Sequence, residues 1–289
     1  MPLCVPPTGL LITYEIQMNT LNIDSIELAR QMRVQALKMV HRAKASHIGS
    51  ALSICDIVAT LYSQILKVDP RDPKALERDR FILSKGHACV AVYAALAETG
   101  FFPQDDLLKY GQDHALLMNH ISHKVAGVEF STGSLGHGLP FGTGKALAAK
   151  LSKQNWRTFV LLSDGELGEG SNWEAMMFAA HHKLDNLVAI VDYNKLQSLT
   201  TVDKTLRIEP LVDKARAFGW SVREVDGHDH AALKDCLSQK VWELNKPSFL
   251  IAHTVKGKGV SFMENSVAWH YKSPSAEQLA QALEELNDA

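Results

Sequence analysis

The chain has 289 residues, 46% of them hydrophobic, and its 30 basic and 32 acidic side chains leave a net charge of −2. That balance offers no basic excess for nucleic acid, and no apolar run approaches the ~20 residues of a membrane-spanning helix. The four scattered cysteines, Cys4, Cys55, Cys89 and Cys236, lack CxxC spacing and read as reduced thiols of a cytoplasmic protein.

Residues 1–17 contain three prolines and no basic n-region, so they are expected to be a flexible N-terminal extension rather than a signal peptide. One domain, 18–289, is expected to follow. "DSIELARQMRVQALKMVHRAK" (24–44) has apolar residues at helical spacing with Asp24 as N-cap. "SICDIVATLYSQIL" (53–66) predicts a second helix, capped by Ser53. "RFILS" (80–84) is a short apolar strand, 86–98 an Ala-rich helix and 100–133 irregular. The small-residue segment 134–153 predicts a helix made for close packing, either within the chain or against a partner chain. "RTFVLLS" (157–163) is continuously apolar, as a strand buried on both faces of a parallel sheet requires. Helix 171–183, strand 187–192, helix 209–218, strand 220–225, helix 229–243 and strand 247–254 complete an alternation of strands and helices. The predicted fold is α/β, a doubly wound, mostly parallel sheet with helices on both faces.

Chemistry concentrates where "VLLSDGELGEGSNWEA" (160–175) leaves its strand. Ligands in such sheets bind beyond the carboxyl ends of strands, and Asp164 stands at one. Gly165 lets backbone approach a ligand, and the next helix points its N-terminus there, which suits a diphosphate. The following strand ends in "DYNKLQ" (192–197), which brings Asn194 to the neighbouring tip. Alone, Asp164 reads as a helix cap and Asn194 as a turn residue. Together they supply hard oxygen ligands for Mg²⁺ shared with two phosphate oxygens, a loop carbonyl and water. Thirteen histidines add groups that titrate near neutrality, and His47, His87, His120, His123 and His137 fall in predicted loops or at element ends. His181 and His182 read as surface residues, and His228 and His230 as turn and cap residues. "LPFGTGKA" (139–146) fails as a P-loop, because Leu139 replaces the first glycine and Ala146 the Ser/Thr. "GSLGHG" (133–138) lacks a preceding strand. "KGKG" (256–259) either meets phosphate or forms a solvated turn.

The pieces "KASHIGSALSICDI", "DRFILSKGHA", "GVEFSTGSLGHGL", "DGELGEGSNWEA", "DYNKLQ", "AFGWSVREVDGHD" and "TVKGKGVSFMENSVAWHYKSPS" resemble, in order, the N-terminal thiamine-diphosphate-binding part of transketolase. The chain ends where the pyrimidine-binding domain would begin, so it looks like the N-terminal subunit of a split, two-chain transketolase. The resemblance implies transfer of a two-carbon ketol unit from a ketose to an aldose, both sugar phosphates by default. It implies thiamine diphosphate with Mg²⁺ (or Ca²⁺ or Mn²⁺) held by Asp164, Asn194 and the Leu196 carbonyl. His87, Gly133, Leu135, Gly165, Glu166 and Asn194 match cofactor-contacting positions. His47, His120 and His270 match histidines near the donor sugar, and Glu169 an acid linking paired active sites. The resemblance implies that the glutamate that tautomerises the aminopyrimidine comes from a C-terminal subunit, in an α₂β₂ assembly. Ser163 in place of the first glycine of GDG, His47-Ile48 without proline, "NHISHKVAG" (119–127), His137 and "SLTTV" (198–202) depart from the family pattern around the mouth. They bear on substrate identity more than on cofactor binding. Competing expectations are another thiamine-diphosphate enzyme subunit, such as a deoxyxylulose-phosphate synthase-like chain, and a non-catalytic scaffold.

Overall fold

The computed structural model describes residues 23–288, so Cys4 and the expected 1–17 extension lie outside the described residues. Five strands form one sheet: β1 (Arg80–Leu83), β2 (Thr158–Ser163), β3 (Leu187–Tyr193), β4 (Ser221–Asp226) and β5 (Ser248–His253). They run in the order β1-β2-β3-β5-β4 and every pairing is parallel. Consecutive side chains of a strand point to opposite faces. Phe159 and Leu161 accordingly enter one core with α1 (Ser25–Ala43), α2 (Ile48–Leu52), α3 (Cys55–Thr60) and α4 (Cys89–Glu98). Val160 and Leu162 enter the other with α5 (Gly138–Leu151), α6 (Gly170–His181), the short α7 (Val202–Thr205) and α8 (Leu211–Ala217). Helices α9 (His230–Ser238) and α10 (Ala276–Asp288) complete the first face. The sheet is thus covered on both sides, which is why its central strands tolerate uninterrupted apolar sequence.

Most expected elements are present, with informative exceptions. Asp24 caps α1 through its carboxylate, which accepts from the Ile26 and Glu27 N–H groups. Ser53 does not N-cap the second expected helix: α3 begins at Cys55 with Ile54 before it, and the Ser53 hydroxyl donates to Asp192 Oδ1 at 2.5 Å. The helix expected over 229–243 ends at Ser238. There the buried Arg157 guanidinium takes the Leu237 carbonyl at 2.7 Å and the chain turns extended at Gln239. Helix α10 was not expected from the sequence. "LPFGTGKA" lies in α5, where Gly142 faces the sheet so closely that a Cβ would meet Val160 Cγ2 at 2.4 Å.

The long connection 99–137 between α4 and α5 contains no strand. It is tied down where Tyr93 Oη donates to the His120 carbonyl (3.0 Å), Ile121 N–H to the Gly86 carbonyl (3.1 Å) and Thr132 Oγ1 to the Leu83 carbonyl (2.6 Å). At Gly86 a Cβ would meet the Thr132 carbonyl oxygen at 2.3 Å, so only glycine allows this approach. These ties bring the loop over the carboxyl ends of the strands.

Candidate active site

A cavity of about 280 Å³ opens at the carboxyl edge of the sheet. Its walls come from the ends of β1 (Lys85, His87), β2 (Asp164, Gly165), β3 (Asn194, Leu196, Gln197) and β5 (Lys256). His47 and Ser50 enter from the α1–α2 region, His120, Gly133 and Leu135 from the long loop, and His270 from the turn 267–270. Ten of the twelve residues expected at the site therefore line one cavity. Glu166 and Glu169 do not.

The acid at the β2 tip is almost wholly buried, at 1% exposure. Its Oδ1 accepts from Gly165 N–H at 2.7 Å and its Oδ2 from Lys195 N–H at 2.5 Å, so the β3 tip is clamped against it. Burial, and then the neighbouring Asp192 charge, push the Asp164 carboxyl up to about 7. No lysine, arginine or histidine among the described residues forms an ion pair with it. Asn194 is oriented by donating its amide N–H to Asp192 Oδ2 (3.0 Å) and Ser53 Oγ (3.3 Å), which leaves Oδ1 accepting from Leu196 N–H at 3.0 Å. A carboxylate without a counter-ion, an oriented amide oxygen and the Leu196 carbonyl form a hard-oxygen donor set that suits a divalent cation. No cluster of three or more His, Cys, Asp or Glu able to hold a metal exists among the described residues, so amide and backbone oxygens would have to contribute. Beside this set, a Cβ on Gly165 would press on the Gln197 side chain at 3.0 Å, so the glycine keeps room at the β2 tip.

Two buried lysines line the cavity: Lys85, which carried no site expectation, and Lys256, for which contact with phosphate was one of two expectations. Lys85, 1% exposed, donates to Asp192 Oδ2 at 2.5 Å and to the Ser50 carbonyl at 3.1 Å. Lys256, 2% exposed, donates to the Leu196 carbonyl at 3.0 Å and lies 3.2 Å from His270 Nδ1. Of the two readings of "KGKG", the solvated turn is thus wrong for Lys256. Burial, followed by the Lys85 charge, lowers its amine to about 8. The position of Lys85 two residues before His87 in "SKGHA" was the only sequence signal for the first lysine.

Imidazoles ring the opening. The His47 centroid lies 5.0 Å from that of His87, 6.0 Å from His120 and 4.9 Å from His270. His47 adopts φ 73°, and its N–H donates to the His270 carbonyl at 2.7 Å, which fixes the pair. Burial, then the His120, Lys256 and Lys85 charges, hold His47 down at about 4, and burial followed by Lys256 holds His270 at about 3. His87 is lowered well below the ordinary value, first by burial and then by Lys85. His47, His87 and His270 are thus neutral at neutral pH and can each accept a proton or donate one hydrogen bond.

The remaining expectations divide. Glu166 is fully buried behind the cavity, where its carboxylate accepts from Ser84 Oγ (2.5 Å), Gly136 N–H (2.8 Å) and Ser163 N–H (3.3 Å). Every contact of that carboxylate is within the chain, so its side chain braces the loop 133–138 against the tips of β1 and β2. Glu169 is exposed at the N-terminus of α6, outside the cavity. His181 and His182 are exposed. His228 and His230 are not mere turn and cap residues, because both reach the buried Asp56.

The family profile described as "Transketolase, thiamine diphosphate binding domain" matches residues 25–287. The chain is 40% identical to an apulose-4-phosphate transketolase subunit from Phocaeicola vulgatus, over 93% of this chain and 96% of that one. It is 38% identical to the 6-deoxy-6-sulfo-D-fructose transketolase subunit of a Clostridium species, over 93% of this chain and 98% of that one. Among solved structures, Campylobacter jejuni transketolase superposes with a TM-score of 0.86 at 31% identity. That match covers 92% of this chain and 43% of the Campylobacter one, so the chain spans less than half of the full-length enzyme.

Proposed function

The chain belongs to the transketolase family, and on that premise we propose that it is the cofactor-binding subunit of a two-chain, Mg²⁺-dependent transketolase. It moves a two-carbon ketol unit from a ketose to an aldose in the cytoplasm. It acts only with a separate chain that carries the pyrimidine-binding domain, in an α₂β₂ assembly, and residues 18–289 form its single domain. Relatives named for apulose 4-phosphate and 6-deoxy-6-sulfofructose favour a donor ketose with an anionic group at its far end.

One observation carries the reading: the buried Asp164 carboxylate has no counter-ion among the described residues and lies beneath a cavity ringed by four imidazoles. When bound, thiamine diphosphate supplies carbanion stabilisation at the donor carbon. Asp164, Asn194 and the Leu196 carbonyl would hold the metal. Gly165 N–H and His87 would meet the diphosphate, and Gly133 and Leu135 would flank the rings. His47, His120 and His270 would hold the donor sugar, and His47 and His270, kept neutral by burial, can take a proton from its hydroxyl. Glu169, exposed at the start of α6, is free to reach an acid on a neighbouring chain.

Calorimetry with thiamine diphosphate and Mg²⁺ on the chain co-purified with its partner tests this. Asp164→Ala should abolish metal-dependent uptake of the cofactor, and unchanged binding would refute the metal assignment. A panel of phosphorylated and sulfonated ketoses then identifies the donor.

A further inference from the structure

Away from the cavity, three polar side chains converge on one buried carboxylate. Asp56, 5% exposed, accepts from Arg33 Nη1 (3.0 Å) and Nη2 (2.5 Å), from His228 Nδ1 (2.6 Å) and from His230 Nε2 (3.1 Å). Burial alone would raise the Asp56 carboxyl, yet the hydrogen bonds from His228, His230 and Arg33 hold it well below the usual carboxylate range. The carboxylate therefore only accepts, so His228 Nδ1 carries the proton and Nε2 keeps its lone pair. That lone pair takes Val255 N–H at 2.8 Å.

Val255 immediately precedes Lys256, the buried lysine of the cavity. The segment is held at further points: Arg33 Nε donates to the Lys258 carbonyl at 3.1 Å, and Gly257 N–H to the Gly49 carbonyl at 3.0 Å. The turn that presents His228 is itself pressed onto this segment, because Gly227 N–H donates to the His253 carbonyl at 2.8 Å and a Cβ on Gly227 would meet Thr254 Cγ2 at 2.4 Å. A buried carboxylate, an imidazole in a fixed tautomer and a backbone N–H thus form a line leading from the α1–α3 core to the cavity floor.

We propose that His228, oriented by Asp56, is a positioning residue that holds the 255–258 segment so that Lys256 stays in the cavity. The importance of that placement for cofactor uptake rests on the functional reading above; the placement itself does not. Two substitutions separate the two nitrogens of the ring. His228→Asn keeps a group near Nδ1 for Asp56 but loses the acceptor for Val255 N–H. His228→Gln keeps an acceptor near Nε2 but loses the Asp56 contact.

The experiment measures amide hydrogen exchange of residues 255–258 by mass spectrometry, together with the Kd for thiamine diphosphate in Mg²⁺ of the co-purified two-chain complex. Leaving a buried N–H without its acceptor should raise both exchange and Kd about tenfold in His228→Asn. In His228→Gln both should stay within about threefold of wild type, although its melting temperature also falls. A global stability effect would move the two variants together, so equal changes in both overturn the proposal. Unchanged exchange or unchanged Kd in His228→Asn overturns it as well. If the wild-type complex takes up no thiamine diphosphate, the functional reading fails by itself, and the exchange data alone then decide the role of His228.

Discussion

At the scale of single residues, the site is a set of charges whose environments are set against their ordinary states. Asp164 is a buried acid with no counter-ion among the described residues, which costs stability until a cation arrives. In a chelator the wild-type melting temperature should therefore carry a component that falls as pH rises from 4 to 7, because the unfolded carboxyl loses its proton first, and Asp164→Asn, which cannot ionise, should lack that component. With thiamine diphosphate and Mg²⁺ only the wild type should gain melting temperature, because ligand binding stabilises the folded state. The histidines give a pH dependence of definite sign. His47 and His270 titrate at about 4 and about 3 in the folded chain, below the ordinary histidine value of 6.5. The unfolded chain thus binds protons first, so their contribution is present above pH 6.5 and is lost as pH falls through 4 and then 3. A His47→Asn, His270→Asn double variant should show a flatter melting temperature than wild type between pH 6.5 and 4, measured by calorimetry without cofactor. Asp164, Asn194 and the four histidines were legible because each sits in a local motif at a strand or loop end. Lys85 and Asp192 were not, and Lys256 was legible only as one of two readings, since a lysine is expected in solvent unless a distant partner holds it, and those partners lie on other elements. Ser53 misled for the same reason: its hydroxyl serves Asp192, 139 residues away, instead of the helix beside it.

At the scale of elements, the strands were the clearest feature, because burial on both faces writes an uninterrupted apolar run. Helix α1 was equally plain from its spacing and its cap. Helix α10, though not expected, does carry a local signal: Leu279, Ala282, Leu283 and Leu286 repeat at helical spacing and pack on the first core. The early stop of α9 had no local signal, because the guanidinium that takes its last carbonyls belongs to Arg157 at the foot of β2. Helix α5 shows that small residues in one helix serve unlike ends. Gly142 lies 2.4 Å, measured from a built Cβ, from Val160, whereas a Cβ on Gly144 would meet nothing within 4 Å. Gly142→Ala should accordingly lower stability by about 1–3 kcal/mol through overpacking. Gly144→Ala should raise the stability of the isolated chain by about 0.5–1 kcal/mol through helix propensity. Denaturant midpoints of the two variants check both signs.

At the scale of the molecule, five parallel strands place their carboxyl ends along one edge, and the ends of four of them contribute to one cavity. The chain nevertheless spans only 43% of the Campylobacter enzyme that it superposes on. If the rest of the site comes from a second polypeptide, the purified chain should show no ketol transfer, and activity should appear and saturate as the partner is titrated in; transfer by the chain alone would contradict the two-chain reading. The sequence reached this arrangement because the strand-tip motifs keep their order along the chain. Substrate choice stayed illegible because the departures from the family pattern gather in loops with no periodicity to interpret. One of those loops is built in a way that matters for engineering. Between the ties at His120 and Ile121 and the tie at Thr132, the stretch 122–131 is anchored throughout: His123 N–H donates to Ser131 Oγ, Val125 is buried in the first core, Glu129 pairs with Arg78, Arg80 and Lys145, and Phe130 stacks on Phe141. The segment is riveted to the body along its length, so redesign there is confined to outward side chains such as His123 and Lys124, and wholesale exchange of the stretch would strip rivets that the body depends on.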